Sequence, residues 1–448
     1  MQGPFYGHGI PEDLSGIPAA LAGDEYVTKL RELLSSPDLF RRSRTEIRGI
    51  QEELLYPYLE FFLRHDHRRY YRRLFHARGL CDGHGTLRSG LVLEDLARLR
   101  IHSDDLRGDG QRERLITEMQ PAEAGGPAPD GMTFVSSGTT AGTEGPVRVF
   151  RSNLTLEMSR AANGGLIDWA LNRRLNRGET LMHMAPEMTD FMAFAAIGAD
   201  FLRHRGLTVR FGAKVNDGPA DSTIWRRLGP NAGEMRRFFT SKAHPKYFIA
   251  SGVGLYKMFI EPEGLRRLGM KLALGAPPVY LGDEGVLMIG GGLKRLPSRY
   301  TALSQVVAQV ADAIKAGWTK DAAPAPVIDM FGLTESLSVF IGAPMDPRST
   351  EPWVKYPHPL TYIALLDSPT RLEPAASWDE DAERLLLYVN FMNLDYLEAV
   401  VPGDFVYPGP DEQTTETALG RLPVANRGFI YSRRAGADEG FQIREGCG

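Results

Sequence analysis

The chain has 448 residues, of which 43% are hydrophobic and 24% are charged, the composition of a globular protein with ample material for a core. This length predicts two or three lobes rather than one simple domain. With 52 basic and 56 acidic residues the net charge is −4, so composition provides no electrostatic case for a nucleic-acid or membrane partner.

The amino-terminal stretch and the cysteine content predict a cytoplasmic protein. The sequence begins without the basic segment and apolar run of a secretory signal. The apolar run "FMAFAAIGADFL", among the longest in the chain, is too short to span a membrane. Only two cysteines are present, Cys81 and Cys447, which argues against a disulfide framework and favours a reducing compartment.

Residues 1–120 are predicted to form a helical region. Both "DEYVTKLRELLSS" and "TEIRGIQEELLYPYLEFFLRH" place apolar residues three and four positions apart, the spacing of an amphipathic helix. Residues 65–78 are rich in Arg, His and Tyr, and we interpret them as a solvated helix face with buried aromatic rings. Residues 89–99 predict a turn and a short helix. The Pro- and Gly-rich residues 121–131 predict a loop.

Residues 121–400 are predicted to form an α/β core, followed by a short carboxy-terminal segment, residues 401–448. Strand candidates are "TLMHMAP", "LTVRFG", "KYFIASG", "VLMIGGG" and "PVIDMFG". Helix candidates between them include "LTLEMSRAANGGLIDWALNRR" and "SQVVAQVADAIKAG". This alternation indicates largely parallel sheets flanked by helices. The later runs "LTYIALLD" and "RLLLYVNF" predict antiparallel strands of a small sheet or barrel.

The stretch "FVSSGTTAGTEGP", residues 134–146, is too rich in hydroxyls and glycines to belong to a core. Glycines let a backbone approach an anion, and backbone N–H groups and hydroxyls donate to phosphate oxygens. The stretch lacks the Gly-Lys-Ser/Thr ending of a Walker A loop. Its composition fits a surface linker equally well, but its position after the predicted strand "MTFV" favours a phosphate-binding loop.

Four stretches together resemble the motifs of adenylate-forming enzymes, the superfamily of acyl-CoA synthetases, firefly-type luciferases and peptide-synthetase adenylation domains. "SSGTT" resembles their phosphate loop, and "IGGGLKRL" resembles the glycine-rich turn that follows later. "DMFGLTES" resembles the aromatic-Gly-x-Thr-Glu motif. "VVPGDFVY" resembles the Thr-Gly-Asp motif, with Pro402 where Thr is usual.

Three further stretches resemble the narrower family of LuxE-type acyl-protein synthetases, which activate fatty acids in bacterial bioluminescence and have relatives in other pathways. "GGGLK" is similar to that family's GGGWK turn, and "PWVKY" with the run after it is similar to its Pro-Trp-Val segment. The ending "RRAGADEGFQIREGCG" resembles its closing pattern. The resemblance covers roughly residues 130–448, and the helical first third matches only in general character.

The resemblance implies an ATP site with Mg²⁺ and assigns residues to it. The phosphate-binding residues would be Ser136, Ser137, Gly138, Thr139 and Thr140. The adenine and motif residues would be Gly290, Gly291, Gly292, Phe331 and Gly332. Thr334 would donate near the α-phosphate, Glu335 would coordinate Mg²⁺, which prefers carboxylate and phosphate oxygens, and Asp404 would accept from the ribose hydroxyls.

Each of these assignments has a simpler structural alternative. "DMFGLTE" also fits a strand end with a solvent-facing glutamate, "PGD" fits a plain turn, and the three glycines fit a tight turn after a strand. Residues 183–201, where relatives place an acyl-pocket motif, carry Met and Phe side chains that fit an apolar acyl or aryl site or simply core. His183 alone does not indicate a catalyst, and no His/Cys cluster has metal-site spacing.

The sequence departs from the superfamily pattern at several positions. Ala141 stands where Gly is usual, the Lys often found later in the loop is missing, and only 44 residues follow Asp404. Typical relatives carry a larger mobile domain there, with a catalytic Lys. The identity of the catalytic cation is therefore open, with Lys294 as the motif-linked candidate. Cys447 is a candidate acyl acceptor, because a thiolate is a strong nucleophile towards an acyl adenylate.

The sequence predicts an ATP- and Mg²⁺-dependent ligase that activates a carboxylic acid as an acyl adenylate and releases pyrophosphate. The acceptor would be its own Cys447, a carrier-protein thiol, CoA or an amine. Two alternatives remain open at this point. One is a non-catalytic nucleotide- or acyl-binding protein on the same fold, and the other is an adenylating enzyme that acts on a non-carboxylate oxyanion such as nitrite.

Overall fold

The computed structural model describes residues 19–66, 69–106, 114–116, 131–135, 147–187, 193–216, 228–261, 278–291, 296–368, 370, 373–374, 377–378 and 381–434. Its helices of eight or more residues are α1 Glu25–Ser35, α2 Arg44–His65, α3 Tyr70–Ala77, α4 Asn153–Ala170, α5 Ala193–His204, α6 Ala232–Thr240 and α7 Leu303–Val310. Shorter helical turns are Ala19–Ala22, Leu39–Arg41, Leu93–Leu99, Ser103–Leu106, Gly252–Leu255, Tyr256–Ile260 and Ala311–Ala313.

The strands in the first part of the described chain are β1 Ile101–His102, β2 Gly131–Val135, β3 Arg148–Ser152, β4 Glu179–Pro186, β5 Thr208–Val215, β6 Leu228–Pro230, β7 Lys246–Ser251, β8 Val279–Tyr280, β9 Val286–Gly290 and β10 Ile314–Lys315. Those in the second part are β11 Val327–Phe331, β12 Phe340–Gly342, β13 Val354–Lys355, β14 Thr361–Leu366, β15 Arg384–Asn390, β16 Ala399–Val401, β17 Asp404–Pro408, β18 Thr414–Thr417, β19 Gly420–Pro423 and β20 Phe429–Arg434.

A seven-stranded sheet with the order β12-β11-β9-β7-β4-β5-β6 forms the centre of the α/β part. Its five inner strands are parallel, and the two edge strands are antiparallel to their neighbours. Alternate residues of the inner strands face α4 and α5 on one side and α6 and α7 on the other, so both faces are buried. The predicted α/β architecture is confirmed, and all five predicted strands of this region are present.

A second sheet of seven strands contains β1 and six strands from β13 to β20, and it is mostly antiparallel. The predicted antiparallel pairing of "LTYIALLD" with "RLLLYVNF" is confirmed, because β14 and β15 pair from Thr361–Asn390 to Leu366–Leu385. The amino-terminal helices cover this sheet and share one hydrophobic cluster with it. For example, the Tyr58 hydroxyl on α2 donates to the main-chain oxygen of Asn390, at 3.2 Å.

Local signals explain where several of these elements begin. Ser43 caps α2 in a reciprocal capping box with Glu46, and the Ser152 hydroxyl accepts from Thr155 N at the start of α4. The predicted helix over residues 304–317 ends earlier, at Val310. Ile314 and Lys315 instead pair in parallel with Val279 and Tyr280. Tertiary strand pairing therefore overrides helical periodicity there.

The remaining predictions about organisation concern boundaries and membranes. No helix within the described ranges is long and apolar enough to cross a lipid bilayer. The division at residues 120 and 400 stays a prediction. The helices α1 and α2 share one hydrophobic cluster with the second sheet. The helical region therefore buries its apolar face against strands that come late in the sequence.

Candidate active site

Two of the predicted motifs emerge side by side at one edge of the parallel sheet. Ser251 on β7 pairs with Gly290 on β9, and Gly290 pairs in turn with Met330 on β11. Gly291 has φ 84°, a left-handed conformation that glycine adopts without steric cost. The glycine turn and Phe331 therefore lie together at the carboxyl ends of parallel strands, the edge at which open α/β sheets bind ligands.

Phe331 is the half-buried aromatic residue at the end of β11. Its ring centroid lies 5.7 Å from that of Tyr431 and 6.2 Å from that of Phe429, both on β20. Lys355 Nζ lies 5.8 Å from the Phe331 ring centroid and forms a buried ion pair with Asp329, on the same strand as Phe331. The second sheet thus supplies an aromatic and cationic surround for Phe331, and the next residue, Gly332, is exposed.

Asp404 is a buried carboxylate with unused acceptor capacity. Its Oδ2 has no hydrogen-bond partner within the described residues, and Arg434 Nη1 lies 3.6 Å from its Oδ1. Burial raises the pKa of Asp404 to about 6; Arg434 opposes the rise and the negative charge of Glu335 adds to it. Asp404 also raises the pKa of Tyr431, the residue that packs against Phe331. The charges of Asp404 and Glu335 and the Tyr431 hydroxyl therefore influence one another.

Glu335 lies four residues beyond β11 and is 6% exposed. Its carboxylate forms no hydrogen bond or ion pair with any side chain in the described part of the structure. Its main-chain oxygen, in contrast, accepts two hydrogen bonds. Thr334, just before it, is half-buried. Glu335 lies near enough for its charge to act on Asp404, and a cation would offset the repulsion between the two carboxylates. Glu335 and Asp404 therefore fit a site for a divalent cation and a polyhydroxylated ligand.

The main chain of Glu335 is held by a buried polar network that the motifs did not reveal. Arg151 Nη2 donates to the Glu335 oxygen at 2.6 Å, and the Tyr396 hydroxyl donates to the same oxygen at 3.3 Å. Arg151 also pairs with Glu398, at 3.2 Å. The sequence signal is a charge beside apolar residues, Arg151 in "RVFRSN" and Glu398 in "DYLEAVV", with a second charge of the same sign three residues before each. Such a charge is rarely buried unless it is paired.

An apolar cavity of about 40 Å³ adjoins the turn after β11. It is lined by Asn163, Ile167, Met182, Ile197, Gly198, Phe201, Ile249, Met288, Met330, Gly332, Leu333, Ser336, Leu337, Ser338 and Val339. Its polar groups are occupied inside the protein: Asn163 Nδ2 donates to Leu337 O at 3.1 Å, and the Ser336 hydroxyl donates to Ser338 O. The cavity therefore suits an apolar group rather than a polar one.

Residues 183–201 contribute to this cavity only in part. Phe201 lines it together with Ile197 and Gly198, and Met182 precedes the segment. His183 packs on the opposite face of the sheet, with its ring centroid 5.8 Å from that of Phe248. Burial lowers the pKa of His183 to about 4, so the imidazole is neutral at physiological pH. This histidine belongs to the core on the far side of the sheet.

Several predicted site residues lie outside the described residues. They are the phosphate-loop residues Ser136, Ser137, Gly138, Thr139 and Thr140, together with Gly292, Lys294 and Cys447. Their assignments stay predictions. The strands on either side of the loop are described: β2 and β3 form an antiparallel hairpin in which Val135 pairs with Arg148. Within the described ranges, no group of three or more His, Cys, Asp or Glu could hold a metal ion alone.

Comparison with solved structures finds a similar fold in 2-hydroxyisobutyryl-CoA ligase. In an open conformation with 2-HIB-AMP and CoA, that ligase matches 97% of this chain over 83% of its own, with TM-score 0.55 and 14% identity. In the postadenylation state with R3-HIB-AMP it matches 94% of this chain over 73% of its own, with TM-score 0.54 and 14% identity.

A weaker match is the N-terminal subdomain of Klebsiella oxytoca NpsA in complex with 3-hydroxyanthranilyl-AMSN. It covers 70% of this chain and 68% of that chain, with TM-score 0.36 and 13% identity, too low to support an argument. No protein-family model matches the chain, and no curated protein matches it in sequence.

This chain shares its fold with 2-hydroxyisobutyryl-CoA ligase, and the likeness extends over nearly its whole length. The predicted fold class is therefore confirmed. At 14% identity the likeness shows the fold and not the activity, because one fold hosts many functions. The narrower LuxE-type assignment stays a prediction.

Proposed function

We propose that this protein is an ATP- and Mg²⁺-dependent ligase that activates a carboxylic acid as an acyl adenylate. The observation that carries the proposal is a cluster in which Phe331 packs against Tyr431, Asp404 interacts electrostatically with Tyr431 and Glu335, and an apolar cavity adjoins the turn between Phe331 and Glu335. Asp404 Oδ2 has no hydrogen-bond partner within the described residues, although Arg434 lies beside Oδ1, and the Glu335 carboxylate forms no hydrogen bond or ion pair there. The cavity is apolar where an acyl group would lie.

In the proposed reaction, a carboxylate oxygen of the acid attacks the α-phosphorus of ATP and pyrophosphate leaves. The chain's contribution is to bind and orient the reactants. The Phe331 ring and the glycine turn at Gly290 and Gly291 would hold the adenine, and the free Oδ2 of Asp404 would accept from a ribose hydroxyl. Glu335 would hold Mg²⁺, which supplies charge neutralisation on the phosphate oxygens when bound.

The cavity favours an organic acid with an apolar body over a small inorganic oxyanion. Three methionines, Met182, Met288 and Met330, line it together with Phe201, and flexible thioethers adapt to irregular apolar shapes. A nitrite-like substrate would not use such a surface. The acid would place its carboxylate near Gly332 and Leu333, which join the cavity to the turn before Glu335.

The predicted LuxE-type relationship bears on the second half of the reaction. We propose transfer of the acyl group from AMP to a thiol or amine, with Cys447, a carrier protein or CoA as acceptors of the thiol kind. We also propose that the protein is located in the cytoplasm. Arg434, beside Asp404, adds a described cation next to the proposed nucleotide site and is a candidate alongside Lys294 for the missing catalytic charge.

A substrate-dependent ATP–pyrophosphate exchange assay tests this function. The purified protein is incubated with ATP, Mg²⁺, labelled pyrophosphate and one acid at a time, from a panel of aliphatic and aromatic acids with nitrite included. Exchange that depends on an apolar acid supports the proposal. Exchange with nitrite alone would favour the oxyanion alternative. Tight nucleotide binding without exchange across the panel would favour a non-catalytic binding protein.

The cavity assignment predicts a shift in substrate size when Gly198 is replaced by Leu. A Cβ at this position would lie 3.4 Å from Met182 Cε, so a leucine side chain would extend into the cavity. Each methylene excluded from an apolar pocket costs about 1–3 kcal/mol of discrimination. The ratio of kcat/KM for a longer over a shorter acid should therefore fall by roughly tenfold or more. Gly49→Leu on α2, where a Cβ meets nothing within 4 Å, is the control. An unchanged ratio in Gly198→Leu would remove the cavity from the substrate site.

The acceptor assignment predicts an acyl thioester on Cys447. Incubation with ATP, Mg²⁺ and the acid should add the acyl mass to the intact protein, because a thiolate attacks the adenylate carbonyl and AMP leaves. The adduct should be labile to hydroxylamine and should be lost in Cys447→Ser, while Cys81→Ser, at a buried position, retains it. Full turnover by Cys447→Ser, with no adduct on the parent protein, would exclude this acceptor.

A further inference from the structure

A buried charge pair lies directly behind Glu335. Arg151 is 1% exposed and Glu398 is fully buried, with Arg151 Nη1 3.2 Å from Glu398 Oε2. Arg151 belongs to β3, and Glu398 immediately precedes β16. The pair therefore connects the hairpin β2–β3, which precedes α4, to the second sheet, and it does so beneath the turn that carries Glu335.

The two members of the pair also hold the two ends of that turn. Arg151 Nη2 donates to Glu335 O at 2.6 Å, and Leu337 N donates to Glu398 Oε1 at 3.2 Å. The Tyr396 hydroxyl adds a second bond to Glu335 O, at 3.3 Å. Residues 332–339 lie between β11 and β12, outside any helix or strand, so these side chains replace the ladder bonds that the backbone lacks.

Side chains of α4 hold the following residues of the same segment. The Ser159 hydroxyl donates to Leu337 O at 2.9 Å, and Asn163 Nδ2 donates to the same oxygen at 3.1 Å. Val339 N donates to Asn163 Oδ1 at 3.1 Å. The backbone from residue 335 to residue 339 is thus fixed by side chains from three separate elements, while the Glu335 carboxylate is left unpartnered within the described residues.

Global stability is a poor explanation for this arrangement. A buried ion pair seldom contributes more to stability than an apolar pair of the same volume, because both charges lose their hydration. Burial raises the pKa of Glu398 to about 7 even though Arg151 and Asn393 lower it. The pair instead fixes the orientation of the backbone, because the planar Arg151 guanidinium contacts the Glu398 carboxylate and the Glu335 carbonyl at the same time.

We propose that Arg151 and Glu398 are positioning residues, which clamp the backbone of residues 335–337 so that the Glu335 side chain is held towards the Asp404 side of the site. This inference rests on the proposed function, since it gives Glu335 a role in metal binding there. Neither charge touches substrate. Their effect is exerted through the main chain of Glu335 and Leu337.

The test uses the full-length double variant Arg151→Met/Glu398→Leu, which removes both charges and retains their volume. Removing Arg151 alone would leave a buried unpaired carboxylate, whereas the double variant leaves only neutral groups, Glu335 O, Leu337 N and Asn393 Nδ2, without these bonds. The double variant should therefore melt below the parent but above Arg151→Met. Its kcat for pyrophosphate exchange should fall tenfold to a hundredfold, the cost of a small misplacement of a catalytic group. The Mg²⁺ concentration for half-maximal rate should rise, while nucleotide affinity measured without Mg²⁺ stays close to the parent's.

A control removes a half-exposed ion pair of the same residue types, away from the site. Arg31 and Glu157 form a two-point pair between α1 and α4, with N–O distances of 2.8 and 2.9 Å. Arg31→Met/Glu157→Leu should retain the parent kcat and Mg²⁺ requirement. Arg151→Lys should give an intermediate loss, because an ammonium group cannot reproduce both bonds of the guanidinium.

Amide hydrogen exchange separates the clamp from the proposed function. Without substrates, the peptide spanning residues 332–340 should exchange faster in Arg151→Met/Glu398→Leu, with the rest of the chain unchanged. That result supports the clamp even if none of the acids in the panel supports pyrophosphate exchange by the parent protein. Such a failure would refute only the ligase activity. Unchanged amide exchange in residues 332–340, or a folded double variant with the parent's kcat and Mg²⁺ requirement, would overturn the clamp.

Discussion

Replacing Glu335 by Gln is expected to lower acid-dependent pyrophosphate exchange by about a hundredfold or more. The variant retains size and hydrogen-bonding capacity but loses the charge that would hold Mg²⁺, and bound metal contributes several kcal/mol of charge stabilisation in such sites. The loss should be greatest at limiting Mg²⁺ and should shrink as Mg²⁺ is raised, because a weakened site fills by mass action. Folding should be preserved, since the Glu335 carboxylate forms no hydrogen bond or ion pair with a described side chain.

The measurement is a Mg²⁺ titration of the exchange rate at saturating ATP and acid. Glu351→Gln, an exposed glutamate in the loop before β13, makes the same chemical change away from the site and should behave like the parent. If Glu335→Gln retains both the maximal rate and the Mg²⁺ midpoint of the parent, Glu335 holds no metal and the assignment of "DMFGLTE" as a metal motif is wrong.

Replacing Asp404 by Asn is expected to weaken nucleotide binding and to stabilise the fold at the same time. One lost hydrogen bond to a charged acceptor is worth about 1.5–3 kcal/mol, or roughly tenfold to a hundredfold in the dissociation constant for a non-hydrolysable ATP analogue. Conversely, burial of the Asp404 carboxylate costs stability, and Arg434 at 3.6 Å offsets that cost only in part. The Asp404 pKa of about 6, against 3.8 for an unperturbed Asp, corresponds to an order-of-magnitude cost of about 3 kcal/mol at neutral pH.

The pH dependence follows from the direction of this shift. Because the folded protein binds the Asp404 proton more tightly than the unfolded chain, its contribution to stability is fully present below pH 3.8 and is lost as pH rises through about 6. The free energy of unfolding of Asp404→Asn should therefore exceed that of the parent at pH 8 and approach it near pH 4. The parent's nucleotide affinity should decline below pH 6, towards the variant's, as the carboxylate loses acceptor capacity.

Calorimetry with the analogue at pH 8 and pH 5, together with denaturant unfolding at the same two values, measures both effects. Replacing a residue that serves only the fold would lower the free energy of unfolding of the protein and leave its affinity for the analogue unchanged. The same pattern in Asp404→Asn would contradict the assignment. Gains in stability with losses in binding are typical of functional sites, where polar groups are retained at a cost to the fold.

Hydrophobic periodicity predicts most of the architecture. The five inner strands of the parallel sheet are apolar runs with turn residues after them, a pattern that reports burial on both faces. The helix candidates at α1, α2 and α4 carry apolar spacing and capping residues in adjacent positions. Such signals are local, because a helix or a buried strand repeats its environment every few residues.

The order of the motifs also predicts which residues belong to one site, but it does not supply their contacts. Phe331 and Asp404 are 73 positions apart in sequence, and β20, which pairs with β17, carries both Tyr431 at the Phe331 ring and Arg434 beside Asp404. The unused Oδ2 of Asp404 and its raised pKa are consequences of burial, which depends on every element packed around it.

Only the tertiary structure decided the elements that depend on distant partners. Ile314 and Lys315 continue a helical pattern in sequence but form a strand, because β8 offers a parallel partner. Arg151 and Glu398 are separated by 247 positions, and each follows a charge of the same sign, Arg148 or Asp395, by three residues, which does not indicate a distant partner. Their pairing behind Glu335 exists because the fold brings the end of β3 beside the residue that precedes β16. Local sequence does not indicate which two charges will pair in the interior.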